Sequence, residues 1–153
     1  PIPFMFLTCT VDATIDFDLD LAVEQSEKNP VYYVQYAHAR ISSILRYAAE
    51  EGWDLDTQGD VSLLTHESEL GLIRKMLELP EVVAQAATQM APHHLTFYAQ
   101  DLAAFFHAFY RDCRVVDAEE PEQTLARLML VRAARLTLAR ALELLGVTTP
   151  ERM

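Results

Sequence analysis

Glycine, cysteine, tryptophan and positive charge are all scarce in this chain, and each shortage narrows what the chain can be. Its 153 residues include four glycines, two cysteines and one tryptophan. So few glycines, among many Ala, Leu, Arg and Glu, favour helices over a sheet-dominated fold. Cys9 and Cys113 stand far apart in no metal-binding or redox spacing, so they read as plain thiols suited to a reducing cytoplasm. No apolar run is long enough to span a bilayer, and no signal-peptide pattern opens the chain. A soluble cytoplasmic protein is expected. Catalytic signatures are missing as well: no Ser-His-Asp arrangement, phosphate-cradling glycine loop or dinucleotide fingerprint can be read.

Twelve Lys and Arg face twenty-three Asp and Glu, a formal net charge of −11. Phosphate binding is driven by Lys and Arg, so this balance predicts weak non-specific binding to nucleic acid. The charge is unevenly spread. Residues 1–92 carry five basic and fifteen acidic side chains, whereas residues 93–153 carry seven and eight. Arg111, Arg114, Arg127, Arg132, Arg135 and Arg140 lie close to or on the last predicted helix, where a local basic surface can form.

With 51% hydrophobic residues the chain has the size and composition of one domain with an unstapled core. Alternation of Phe4, Phe6, Thr8 and Thr10, then Ile15, Phe17 and Leu19, predicts a short N-terminal β-hairpin over residues 3–20. A helical turn is expected over 19–27, then a polar elbow ending at Asn29. Asn29 can cap a long helix that Pro30 opens, and Gly52 ends it. Residues 67–79 are amphipathic, and Pro80 can open a further helix to about Met90. After Pro92, the stripe Leu95, Tyr98, Leu102, Phe105, Phe106, Phe109 and Cys113 predicts a central core helix. An acidic linker over 117–123 leads to a last helix over 124–145, closed by Gly146. Arg132 sits among Leu125, Leu128, Met129, Leu136 and Ala139 there, and needs either a carboxylate in the bundle or a ligand at its surface. No internal repeat is visible.

The helix beginning at Pro30 carries two faces. Val34, Ala37, Ile41, Ile44, Leu45 and Ala48 form a core stripe. Beside it run Tyr33, Tyr36, Arg40, Ser43 and Tyr47, aromatic rings with a guanidinium among them. Such a row can stack on splayed-out RNA bases, or it can simply cap a small core with Arg40 in water. Other candidates are weaker. Asp16, Asp18, Asp20 and Glu27 imitate a calcium loop, but Leu21 occupies the place that needs glycine. His93 and His94 have no further ligand one helical turn away, and His38 and His107 sit among apolar neighbours. Neither a metal site nor catalytic residues are expected.

Three segments together, Asp16-Phe17-Asp18-Leu19-Asp20-Leu21-Ala22, Asn29-Pro30-Val31-Tyr32-Tyr33-Val34-Gln35-Tyr36-Ala37-His38-Ala39-Arg40 and Leu144 to Met153, closely resemble the arginyl-tRNA synthetase family. The resemblance runs from about Phe4 to Met153. It implies a mainly α fold, the helical bundle of class I synthetase anticodon-binding domains, over residues 21–153. Residues 1–20 would be remnant strands or linker from a catalytic domain, so the chain reads as a piece of something longer. The family joins arginine to its tRNA using ATP and magnesium on a separate fold. His-x-Gly-His is absent here, and Lys75-Met76 lies in a helical pattern, so no cofactor and no activity are expected of these residues alone. The resemblance turns Gln25, Asn29, Tyr33, Tyr36, Arg40, Arg46 and Met153 toward the anticodon stem-loop of arginine tRNA, with Arg111 and Arg114 as weaker candidates. It implies that tRNA and the parent catalytic domain as partners, no DNA and no membrane, and a monomer. The competing expectation is a helical protein-interaction module docking on a catalytic domain or another chain.

Overall fold

A computed structural model describes residues 2–9, 20, 24, 26 and 28–153. Its helices are α1 (Ile2–Leu7), α2 (Pro30–Glu50), α3 (Glu67–Leu77), α4 (Leu79–Thr88), α5 (His93–Asp112) and α6 (Pro121–Leu144), with a 3₁₀ turn at Val61–Leu63. Among the described residues no strand occurs, and no helix is long and apolar enough to cross a membrane.

The N-terminal hairpin is therefore corrected where it can be compared. Residues 2–7 are helical, with Phe4 fully buried and Phe6 exposed. A short apolar run does not separate strand from helix by periodicity, and here packing against α2 and α5 decides. The remainder of that expectation, over 10–19, and most of the predicted helical turn over 19–27 lie outside the described residues. So does the calcium-like pattern, apart from Asp20.

Capping explains both ends of α2 and the C-terminal end of α6. Asn29 accepts hydrogen bonds from the N–H groups of Val31 (3.0 Å) and Tyr32 (3.4 Å), and Pro30 follows at the first helical position. At the other end of α2, Gly52 adopts φ +87° while its N–H reaches Ala49 O and that of Trp53 reaches Ala48 O, the paired bonds of a Schellman motif. The same motif closes α6, with Gly146 at φ +67° and Val147 N–H donating to Leu142 O at 2.9 Å. Pro121, preorganised for a first helical position, starts α6 three residues before the expected Thr124.

Among the described residues, helix α5 packs on each of the other five helices, which makes it the centre of the bundle. It contributes Leu102, Phe106 and Phe109, each 0–1% exposed, to a core shared with Val34 and Ile41 of α2 and with Leu128, Leu138 and Leu142 of α6. Each such side chain supplies ~1.5–3 kcal/mol by leaving water. Phe105 departs from the predicted stripe. It lies at the rim, against Gly71 of α3 and under the Lys75 ammonium.

Arg127 and Arg132 tie α6 to α3 and to the loop before it through ionic contacts. The Arg127 Nε donates to Glu69 Oε1 at 2.7 Å, and Glu69, fully buried, also caps α3 through the His66 N–H at 2.9 Å. Arg132 pairs with Asp56 at 3.2 Å and donates to the Leu55 carbonyl, so its partner is an exposed loop carboxylate rather than one inside the bundle. That loop lies against α6 because Gly59 abuts the helix backbone: a Cβ there would come within 3.0 Å of Leu125 and Ala126 backbone atoms. Gly59→Ala is expected to cost ~1–3 kcal/mol, as overpacking does, measured by urea or thermal unfolding. An unchanged transition would contradict the close approach.

Candidate nucleic-acid interface

The row on α2 recurs at Tyr36, Arg40, Ser43 and Tyr47, steps of four, three and four residues that keep one line along a helix. Beside this line stand the end of α5, the segment 113–116 and the tail after α6. Between them lies an open groove of ≈ 1070 Å³. Its lining holds three tyrosines (Tyr36, Tyr47, Tyr110), five arginines (Arg40, Arg46, Arg111, Arg114, Arg152), Met153 and no Asp or Glu. A chain of net charge −11 thus gathers five of its twelve cations around one concavity.

Arg40 is the centre of that arrangement. Its guanidinium carbon lies 4.7 Å from the Tyr110 ring centroid and 5.5 Å from that of Tyr36. Both rings present a face to its cation, and its N–H donors have no carboxylate partner among the described residues, so they can meet phosphate oxygens or base edges. Tyr36 in turn stacks on Tyr32 at 6.4 Å and 8° between planes, and Tyr110 on Phe106 at 6.2 Å and 19°. The site is anchored in core aromatics.

The five arginines differ in charge compensation. Arg111 forms two hydrogen bonds to Asp112, at 2.8 and 3.2 Å, and these hold the Asp112 carboxyl below its usual range and raise the arginine further. Arg114 pairs with Asp117 at 3.2 Å. Arg40, Arg46 and Arg152 have no carboxylate within ion-pair distance among the described residues. They are the cations with charge to spare, and Arg46 spends one donor on Ser43 Oγ at 3.0 Å.

The structure places the other predicted residues differently. Asn29 is 4% exposed and its side chain caps α2. Tyr33 is half-buried, tilted against His107 at 5.2 Å, and does not line the groove. Gln25 lies outside the described residues. Tyr110 and Arg152 were not predicted. Tyr110 falls just off the α5 core stripe, and Arg152 reaches the groove only through the path of the tail. Burial pushes the neighbouring Cys113 thiol up, so it stays protonated at neutral pH. No set of three or more His, Cys, Asp or Glu that could hold a metal occurs among the described residues; His94 instead shares a 3.0 Å hydrogen bond with Gln89.

Residues 34–153, the part that carries this groove, match the DALR anticodon binding domain family. The chain belongs to that family. This anticodon-binding domain is similar to an arginine–tRNA ligase of Dehalococcoides mccartyi strain CBDB1, 57% identical over 150 residues, which cover 98% of this chain and 27% of the relative. It is also similar to that of Heliobacterium modesticaldum, 53% identical over 156 residues, covering 98% and 28%. Among solved structures, the arginyl-tRNA synthetase of Thermus thermophilus superposes with a TM-score of 0.82 at 36% identity, over 99% of this chain and 26% of that one. That of Plasmodium falciparum superposes with a TM-score of 0.79 at 25% identity, covering 99% and 26%. The domain therefore spans about a quarter of the length of these relatives.

Proposed function

We propose that this domain recognises the anticodon stem and loop of arginine tRNA as part of an arginine–tRNA ligase. The observation that carries the reading is Arg40 beside the Tyr36 and Tyr110 rings in a groove that gathers five arginines and no Asp or Glu. Unstacked loop bases stack on the exposed ring of Tyr47, a contact contributing ~1–3 kcal/mol, and pack along the edge of Tyr36, while Arg40, Arg46 and Arg152 meet phosphates or base edges. Arg111 and Arg114, already paired, add a weaker field, and Met153 supplies an apolar contact at the tail side. Asn29 and Tyr33 act through the helix, by fixing its start and backing its aromatic row. Residues 21–153 are the binding domain and 1–20 the link to a catalytic portion.

Arginine activation with ATP and magnesium belongs to the part of the relatives that this chain does not span. The donor sets here do not fit those groups, since the glycines stand singly at 52, 59, 71 and 146 and the described residues hold no metal-binding cluster. Free thiols at Cys9 and Cys113 suit the cytoplasm, where tRNA is charged.

The test is a titration of this chain with a synthetic arginine-tRNA anticodon stem-loop across salt concentration. Three uncompensated arginines on a single-stranded loop predict a slope of log K against log salt of about −2, from roughly 0.7 per neutralised phosphate. Binding that ignores salt would contradict the arginine contacts. Docking as a protein-interaction module instead predicts no binding to the hairpin at any salt concentration.

A further inference from the structure

One side of the groove is lined by a segment with little structure of its own, which side chains of α2 and α6 fasten in place. After the Schellman turn at Gly146, Val147 is buried and the chain runs back across α2. Three side chains hold it. Gln35 Nε2 donates to the Thr148 carbonyl at 2.9 Å and to its Oγ1 at 3.2 Å. His38 Nδ1 lies 3.0 Å from the Pro150 carbonyl, and Arg135 donates to Glu151 at 2.6 Å.

His38 is the buried member of the three, 3% exposed on an α2 turn flanked by Ala37, Ala39 and Ile41. A carbonyl can only accept, so the His38 proton sits on Nδ1 and the bond is a donation from helix to tail. Its neighbours Tyr36 and Arg40, two residues away on either side, line the groove. One helix therefore sets both walls: the Tyr36 and Arg40 face directly, and the Arg152 and Met153 face through the pinned tail.

We propose that His38 is a positioning residue for RNA binding, holding the 148–151 segment so that Arg152 and Met153 stand opposite Arg40 before RNA arrives. The proposal rests on reading the groove as the RNA site. A tail ordered in advance spares the complex the cost of ordering it on binding, so loosening it weakens affinity without touching any RNA-contacting side chain.

The experiment compares wild type, His38→Ala, His38→Asn, Gln35→Ala and Arg40→Ala in two measurements. One is the rate at which a Glu-specific protease cuts the native protein after Glu151, and the other is affinity for the synthetic arginine-tRNA anticodon stem-loop. His38→Ala is expected to speed that cut and weaken binding about five-fold, the scale of one hydrogen bond. His38→Asn, whose amide N–H sits near the place of Nδ1, restores both to within about two-fold of wild type, which loss of bulk alone does not explain. Gln35→Ala, at a half-buried position, moves both readouts the same way even if His38→Ala folds poorly. A tail cut no faster than in wild type in Gln35→Ala and His38→Ala, or a loosened tail with unchanged affinity, overturns the proposal. Arg40→Ala separates this failure from that of the groove reading: undiminished binding by Arg40→Ala, or no binding by wild type, overturns the groove itself.

Discussion

An Arg127→Leu variant is expected to lose about 3–5 kcal/mol of stability, seen as a fall in Tm on the order of 10 °C for a domain of this size. The reason is the partner left behind. Glu69 is fully buried, and its carboxylate is met by the Arg127 Nε at 2.7 Å, the His66 N–H at 2.9 Å and the Gln123 amide at 3.3 Å. Without the guanidinium a buried charge keeps only two neutral donors, which do not offset its desolvation. A pair of substitutions distinguishes this from loss of packing: Glu69→Gln combined with Arg127→Met keeps an acceptor for the His66 N–H, removes both charges, and recovers most of the loss. A single variant within about 1 kcal/mol of wild type would show the pair to behave as a solvated surface contact. Arg127 also donates to the Arg114 carbonyl at 2.9 Å, so the same change loosens the groove wall that carries Arg114.

Replacing Arg40 and Arg46 together with alanine is expected to weaken binding of the anticodon stem-loop about 100-fold or more, from two contacts worth ~1–3 kcal/mol each. The two residues line one concavity, so their effects need not add. The salt slope falls by about 1.4, since two phosphate contacts at roughly 0.7 each are gone. Folding changes little, because neither arginine has a carboxylate partner among the described residues and Arg40 loses only its ring contacts, ~0.5–1 kcal/mol apiece at exposed sites. A loss under about three-fold with an unchanged slope would remove the groove from the account.

Local chemistry made much of the bundle legible before any coordinates. Asn29-Pro30, Gly52 and Gly146 mark helix ends through caps that act within four residues, and all three operate as expected. The line of Tyr36, Arg40 and Tyr47 follows from helical spacing alone. What escaped depends on partners distant in sequence. Glu69 and Arg127 are 58 residues apart, and nothing near either announces the pairing. Arg152 enters the groove because Gln35 and His38 capture the tail more than a hundred residues away. Gly59 is small because a helix backbone passes over it, a constraint invisible in an acidic loop. Tyr33 was drawn into the row by spacing, yet the ring turned to His107, since spacing fixes a side chain's azimuth but not the neighbour it finds. The overall charge misdirected in its own way: acidic residues dominate the first 92 positions, while the groove collects cations from α2, from the end of α5 and the segment after it, and from the tail.

The most direct measurement of the central claim is equilibrium binding of this chain to transcribed arginine tRNA and to the same tRNA with its anticodon replaced, at one salt concentration. The account predicts that the native anticodon binds at least about ten-fold more tightly, as one well-read base would give. Equal affinity for the two would contradict it, leaving the groove a patch of positive charge with no hold on the anticodon bases.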